Sequence, residues 1–497
     1  MRGFVLFFQQ LTLLLTPQLL ILMLLASVLG VTIGALPGLT ATMGIALLTG
    51  LTFKATEAQS FTILIGIYVG AIYGGSISAI LINIPGTASA AATCVEGHRI
   101  ALRGEARSAI EATRTASIIG TIIGMIALLF IAPILTKVAL MFTSPEYFML
   151  ALFGVLICGS VGTSDVPVKG WIAGLFGLFF ATIGQEGIFS VQRFMFGNSN
   201  LIGGISLIPA MIGFYAIPEI IKALAEKSKI TVKIETAGKR VPMWPIMKNS
   251  LRTIVQSSLI GVGIGALPGV GEDVAAWVSY STAKKTSKHP EEYGKGSYEG
   301  AIAPEVGNNA AIGGAIIPML TLAVPGSPPT AVLLGALMLH GIRPGPMLMT
   351  ETPYFLYQIC ALLFLATVAM WLVGMLIARP MSSILKISPA YLMPVVAAIS
   401  IIGAFAINLT LFDLGVVFIF GILGYFLDKM GYSPAPIVIG LILGNMIDTN
   451  FRRTLIVSDG SFLPFITRPI PLIFLAIIVF TIVKGSKAVK ESNAAAQ

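Results

Sequence analysis

The stretch GALPG occurs twice, at Gly34 to Gly38 and at Gly265 to Gly269, each time deep inside an apolar run. Proline lacks an amide hydrogen and clashes with the preceding helical turn, and glycine tolerates conformations that other residues avoid, so the pair interrupts a helix. In a bilayer each backbone group freed this way costs several kcal/mol. Such a break persists only where protein or a water-filled cavity satisfies it. Four Pro-Gly pairs interrupt apolar sequence: Pro37-Gly38, Pro85-Gly86, Pro268-Gly269 and Pro325-Gly326. A fifth, Pro344-Gly345, sits in a polar turn.

The rest of the chain has the composition of a membrane protein. Of its 497 residues, 56% are hydrophobic and only 11% charged, whereas a soluble domain carries about 25% charged residues. Runs such as Leu11 to Ile33, Phe61 to Ile84, Ile118 to Leu135, Trp171 to Ile183 and Pro471 to Val483 predict roughly a dozen spanning or partly spanning helices. Between them no stretch is long enough for a soluble domain. The first run lacks a small-residue cleavage site and reads as a retained helix. A net charge of +9 fits Lys and Arg sorted to cytoplasmic loops better than nucleic-acid binding. Cys94, Cys158 and Cys360 are far apart and have no metal-ligand spacing.

Aligning the GALPG sites sets VTIGALPGLTATMGIALL against VGIGALPGVGEDVAAWVS. Further on, YGGSISAILINIPGTASAA (Tyr73 to Ala91) matches IGGAIIPMLTLAVPGSPPT (Ile312 to Thr330) with a single-residue offset. This is an internal duplication. Loop charges orient the halves. Lys54 alone follows the first GALPG, whereas Arg99, Arg103, Arg107 and Arg114 follow the next Pro-Gly element. In the second half the bias is reversed: Lys284, Lys285, Lys288 and Lys295 follow GALPG, and Arg343 alone follows the later element. The positive-inside rule then puts equivalent loops on opposite faces. The expected fold is an all-α polytopic membrane protein with two inverted repeats and with broken or re-entrant helices at the Pro-Gly motifs. Its division is a first repeat over 1–221, a basic cytoplasmic linker over 222–252, a second repeat over 253–485 and a polar C-terminal tail over 486–497. The linker holds Lys222, Lys227, Lys229, Lys233, Lys239, Arg240, Lys248 and Arg252, and Lys484, Lys487 and Lys490 mark the tail as cytoplasmic.

After each break the chain resumes with small, hydroxyl or acidic residues, as a new half-helix would. A helix start presents unpaired amides and roughly half a positive charge, favourable to an anion by about 0.3–1 kcal/mol and up to about 2 when partly buried. Four starts brought together would make an anion site at the bilayer midplane. The candidate substrate-binding residues are therefore Pro37, Gly38, Thr40 and Thr42; Asn83, Pro85, Gly86 and Thr87; Pro268, Gly269 and Gly271; and Pro325, Gly326 and Ser327. Single Pro-Gly kinks also merely bend transmembrane helices, which is the competing reading of any one of them.

Glu272 and Asp273 directly follow the second GALPG. Either they serve a coupling cation, since intramembrane carboxylates usually mark ion or proton pathways, or they stabilise a helix N-terminus. Glu305, Asn308 and Asn309 form a second polar cluster, with Glu305 suited to a cation and the amides to substrate carboxylates, or all three to helix-to-helix bonding. Glu299 lies nearer the charged loop and is expected to be solvated. Asn408 and Asp413 read as an interfacial turn. Arg452, Arg453 and His98 read as parts of basic interfacial loops.

From Gly265 to Leu337, GALPGVGEDVAAWVSYSTAKKTSKHPEEYGKGSYEGAIAPEVGNNAAIGGAIIPMLTLAVPGSPPTAVLLGAL closely resembles the large membrane subunit of the tripartite tricarboxylate transporters. The likeness extends to GALPGLTATMGIALL, NIPGT, and GYSPAPIVIGLILG followed by NFRR, covering nearly the whole chain. It implies a multi-pass secondary transporter of the bacterial inner membrane, working with a small membrane subunit and a periplasmic solute-binding protein that delivers a citrate-like carboxylate. Co-transported Na+ or H+ is expected, and no bound cofactor. Val306-Gly307 stands where the family has alanines and Asp448 where it has Glu, departures that bear on substrate choice. Three other classes compete, of which a structural scaffold would not need four interrupted helices. An ion channel also uses broken helices, as a selectivity filter. An enzyme is disfavoured because neither an HExxH zinc motif nor a convincing Ser or Cys with a His partner is present.

Overall fold

The computed structural model describes residues 2–161, 167–225, 240–384 and 389–495. Two runs of eight principal helices follow one another. The first comprises α1 (Pro17–Ala35), α2 (Ala41–Leu51), α3 (Glu57–Ile82), α4 (Ala91–Ile100), α5 (Ala106–Ala139), α6 (Ser144–Val161), α7 (Pro167–Ala181) and α8 (Leu207–Ala225). The second comprises α9 (Leu251–Gly265), α10 (Gly271–Thr286), α11 (Tyr298–Leu322), α12 (Pro328–Leu339), α13 (Pro353–Ile384), α14 (Pro389–Asn408), α15 (Leu411–Lys429) and α16 (Pro434–Val457). Helices Arg2–Leu14 and Pro469–Ala495 flank them. Among the described residues, strands are confined to the small hairpin Gly184–Gln185 with Gln192–Arg193.

Among the described residues, six segments are long and apolar enough to cross a bilayer: Pro17–Ala35, Glu57–Ile82, Ala88–Ala139, Leu207–Ala225, Pro353–Ile377 and Leu411–Lys429. Shorter apolar helices pack among them. The chain is an all-α multi-pass membrane protein.

Helix α3 is apolar all round and almost entirely buried, the pattern of a central helix rather than a lipid-facing one. A reciprocal cap starts it, Thr56 bonding the Gln59 amide and Gln59 the Thr56 amide. It ends at Asn83, which adopts a left-handed conformation at φ 57° two residues before Pro85. Helix α11 ends the same way at Ala323, also at φ 57° and two residues before Pro325.

Helix α1 packs along α3 and α9 along α11. On α1, Gly30 and Gly34 stand against the backbone of Ile67 and Ala71; on α9, Gly261 and Gly265 stand against Gly307 and Ala311. A side chain at any of these positions would separate the helices. Partners then exchange between the halves. Helix α5 lies along α11 and α13 along α3, while α8 lies along α15 and α16 along α7.

Several local expectations change. EGHRIALRGEAR is helical rather than a loop: α4 passes through a π-helical turn, Ala101–Glu105, into α5, with Gly104 at φ 82° taking up the bend. His98 Nδ1 lies 3.0 Å from the Ile80 carbonyl, so this histidine braces α4 on α3. Arg452 belongs to α16, where it bonds Asp448 one turn earlier at 3.0 Å. Glu299 accepts hydrogen bonds from Thr253 and Ser287 and is half-buried. Lys222 occupies the last turn of α8 instead of opening a linker, because the apolar run carries the helix past it. Lys227, Lys229, Lys233 and Lys239 lie outside the described residues. The last helix, Pro469–Ala495, runs through most of the residues read as a polar tail, in keeping with the helix-forming Lys, Ala and Glu there. The turn at Asn408 and Asp413 is as expected, with Asn408 bonding Asp413 at 2.7 Å and Thr410 capping α15.

Candidate functional site

All four Pro-Gly interruptions are real breaks, and each has its own backbone solution. Thr40 caps α2 by accepting the Met43 amide at 3.1 Å. At the second break the Gly86 amide donates to Gly75 O at 3.4 Å, and the Thr87 and Ser89 hydroxyls meet at 3.1 Å. The third and fourth satisfy one another: Gly269 N donates to Pro325 O at 3.2 Å and Gly271 N to Gly326 O at 3.1 Å. Positive φ at both glycines, 71° and 72°, aims those amides across the gap. Ser327 then caps α12 in a reciprocal box with Thr330.

The segments that restart after the breaks border one cavity of about 840 Å³. Thr40 and Thr42 come from the first, Thr87 and Ser89 from the second, Gly269 and Asp273 from the third, and Pro328 and Pro329 from the fourth. Helix starts carry partial positive charge, so their convergence on one space favours an anion there, with the Thr40, Thr42, Thr87 and Ser89 hydroxyls as donors; Pro328 and Pro329 have no amide hydrogen to add. Pro37, Gly38, Asn83, Pro85, Gly86, Pro268, Gly271, Pro325, Gly326 and Ser327 shape the breaks without bordering the cavity.

The two acids at the start of α10 have different surroundings. Asp273 is exposed towards the cavity. Glu272 also reaches its wall but is 2% exposed, with its carboxylate turned to Tyr68 of α3, whose hydroxyl donates to it. The same hydroxyl lies 3.2 Å from Ser327 Oγ. Thus one tyrosine of the first half ties together the third and fourth breaks.

Glu305, Asn308 and Asn309 do not border the cavity. They are fully buried where α11 meets α4 and α5. Thr93 and Ser117 donate to the Glu305 carboxylate at 2.5 and 3.0 Å, and Thr121 donates to Asn309 Oδ1 at 3.2 Å. Asn309 Nδ2 donates to Asn308 Oδ1 at 2.7 Å and to Glu305 O at 3.0 Å. Hydroxyls on neighbouring helices thus compensate a buried carboxylate.

Sequence reasoning passes over Tyr68, Glu219 and Asp428, and it assigns Lys222 to the linker. Glu219, Lys222 and Asp428 border the cavity, and the signal for the first two is present in AIPEIIKALA, where two charges sit inside an apolar run. Tyr68 leaves no local signal. It is one of many apolar or aromatic residues on a helix buried all round.

The family model described as tripartite tricarboxylate transporter TctA family matches residues 20–439. An uncharacterized 52.8 kDa protein in the TAR-I ttuC′ 3′ region of Agrobacterium vitis is 35% identical over 468 residues, 93% of this chain and 92% of that one. An uncharacterized protein in the TAR-II ttuC′ 3′ region of the same organism is 37% identical over 207 residues, 42% of this chain and 86% of that one. No solved structure matches the chain. The chain belongs to the tripartite tricarboxylate transporter TctA family, and it is a membrane transport protein.

Proposed function

We propose that the protein carries out secondary active uptake of a di- or tricarboxylate across the bacterial inner membrane. A periplasmic binding protein delivers the substrate and a small membrane subunit completes the system. The protein acts as a carrier rather than an enzyme or a channel. The observation that carries this reading is one cavity bordered by segments from all four interrupted helices, where the positive ends of the restarting helices and the Thr and Ser hydroxyls suit carboxylate oxygens.

Transport of this kind needs a driving ion. At about 2.3 kcal/mol per charge per 100 mV, bringing a divalent anion into a negative interior costs roughly 4.6 kcal/mol, and a trivalent one roughly 7. At least as many cations must enter as the substrate has charges. Glu272, Asp273 and Glu305 are the proposed coupling residues, for Na+ or H+. Asn308 and Asn309, beside Glu305, are the amides proposed for substrate carboxylates, in a position that does not border the cavity in this structure.

The two runs of helices are proposed as inverted repeats over 1–221 and 253–485. Supporting this are the matched left-handed ends at Asn83 and Ala323, the matched glycine contacts of α1 on α3 and α9 on α11, and the exchange of α5 and α13 between halves. Such a pair of halves moving against each other provides alternating access.

The test is uptake of labelled citrate, malate and succinate into proteoliposomes with the binding protein and small subunit present, comparing sodium and pH gradients. Saturable uptake that requires one gradient supports the reading. Unsaturable flux independent of either gradient indicates a channel. Glu272→Gln and Asn309→Ala should each change uptake or its ion dependence; no change in either would remove those residues from the site. Reporter fusions after Lys54 and Arg103 should fall on opposite faces, and finding both on one face would end the inverted arrangement.

A further inference from the structure

We propose that Lys222 is the cation in the cavity that receives a substrate carboxylate, and that Asp428 holds it until substrate takes Asp428's place. The inference rests on the carboxylate-uptake reading above. Among the described residues bordering the cavity, Lys222 is the one lysine or arginine, while four acids, Glu219, Glu272, Asp273 and Asp428, border it too. A cavity for an anion, walled by more acids than bases, needs its cation presented to the ligand at the right moment.

The geometry provides for this. Lys222 Nζ lies 2.7 Å from Asp428 Oδ2 and 3.0 Å from Glu219 Oε1. Glu219 is three residues earlier on α8 and travels with the lysine. Asp428 belongs to α15, in its last turn, just before the chain turns into α16 through Ser433 and Pro434 at the cavity edge. It is therefore the exchangeable partner. The Lys222 side chain is 38% exposed and that of Asp428 36%, so an arriving carboxylate can reach the pair. Lysine suits the exchange: its ammonium is a point charge with three donors on a flexible stem, whereas a guanidinium would bind Asp428 in a fixed two-pronged geometry. When a substrate carboxylate replaces Asp428, the charge on Lys222 stays paired and the tie between α8 and α15 is released. The pair thus reports occupancy of the cavity to the packing of those two helices.

The test measures citrate, malate and succinate binding to the full chain in lipid nanodiscs by calorimetry, at fixed sodium and pH. Lys222→Gln should weaken binding about fivefold, as expected when a partly exposed charge partner is removed. Asp428→Asn should tighten binding about two- to fivefold, because it removes a competitor of partly exposed ion-pair strength. In the Lys222→Gln background Asp428→Asn should add nothing. Thermal unfolding without ligand reports whether each variant folds. If Lys222→Gln fails to fold, the Asp428→Asn arm decides alone: tightening supports the exchange, and unchanged or weaker binding overturns it. Equal weakening by both single variants would reduce the pair to a brace between helices, and wild-type affinity in folded Lys222→Gln would overturn the proposal. If the wild type binds none of the three carboxylates, the uptake reading fails first and this inference falls with it.

Discussion

Gly86 lies so close to the carbonyl of Gly34 that a Cβ on it would overlap that oxygen. Gly326 stands in the same relation to the carbonyl of Gly265. In each half, the glycine of the later Pro-Gly pair is packed on the first glycine of GALPG, so the two breaks of a half are held as one unit.

Gly86→Ala should therefore destabilise the protein by about 1–3 kcal/mol, the usual range for overpacking, because the obstacle is backbone and cannot rotate away. Gly326→Ala should behave alike. The control is Gly263, on α9 between the crowded Gly261 and Gly265, where an added Cβ meets nothing within 4 Å. Gly263→Ala should be neutral or stabilising by up to about 1 kcal/mol through helix propensity. Thermal unfolding in detergent distinguishes the two classes.

Tyr68→Phe should cost about 1.5–3 kcal/mol, the range for a hydrogen bond to a charged group, since it takes a hydroxyl donor from the buried Glu272. In a double-mutant cycle with Glu272→Gln the two losses should fall well short of additive. Additive losses would show that the contact across the halves carries no energy of its own.

Glu186, in the hairpin between α7 and α8, should give the fold an acid-sensitive component. Burial pushes its carboxyl pKa up, but the amides of Phe189 and Ile188 and the charge of Arg452 outweigh that, and the net shift is downward. A carboxyl lowered in the folded state adds stability that is complete above its unfolded value, about 4.3, and is lost as the pH falls through the lower folded value. Glu186→Gln should flatten the stability profile below about pH 5 and leave its shape near neutrality unchanged. An unaltered acid limb, followed by thermal unfolding at stepped pH, would contradict this.

Glu96 is fully buried on α4 and accepts the amides of Gly294, Gly296 and Ser297 together with the Tyr280 hydroxyl, the last three at 2.8, 2.9 and 2.8 Å. It binds the connection between α10 and α11 to the segment following the second break. Glu96→Ala strands those amides at about 1–3 kcal/mol each unless the connection moves. Cleavage within 287–297 by a protease applied to the folded protein should accelerate severalfold, and an unchanged cleavage rate would show that other contacts hold the connection.

Much of the architecture is legible along the chain because its causes are local. Apolar length decides that the helices belong in a bilayer, and Pro next to Gly decides where they break, since a missing amide and a permissive φ act on their own turn of backbone. The likeness between the two GALPG regions is legible because both keep the glycines, Gly30 and Gly34 in one and Gly261 and Gly265 in the other, that close helix contacts require. Less legible were EGHRIALRGEAR and the end of α8, where charged residues suggest loops but the helix continues.

By itself, then, the sequence determined an all-helical membrane protein with four interrupted helices, and the hydroxyl and acidic residues that follow the breaks. Only the tertiary structure decided that segments from all four breaks border one cavity, that Glu305 with its asparagines lies apart from it, and that Glu272 answers to Tyr68 and Lys222 to Asp428. The reason is physical. In helices that are apolar on every side, periodicity does not reveal which face meets which neighbour, and a charge buried among them takes its partner from residues two hundred positions away as readily as from its own turn.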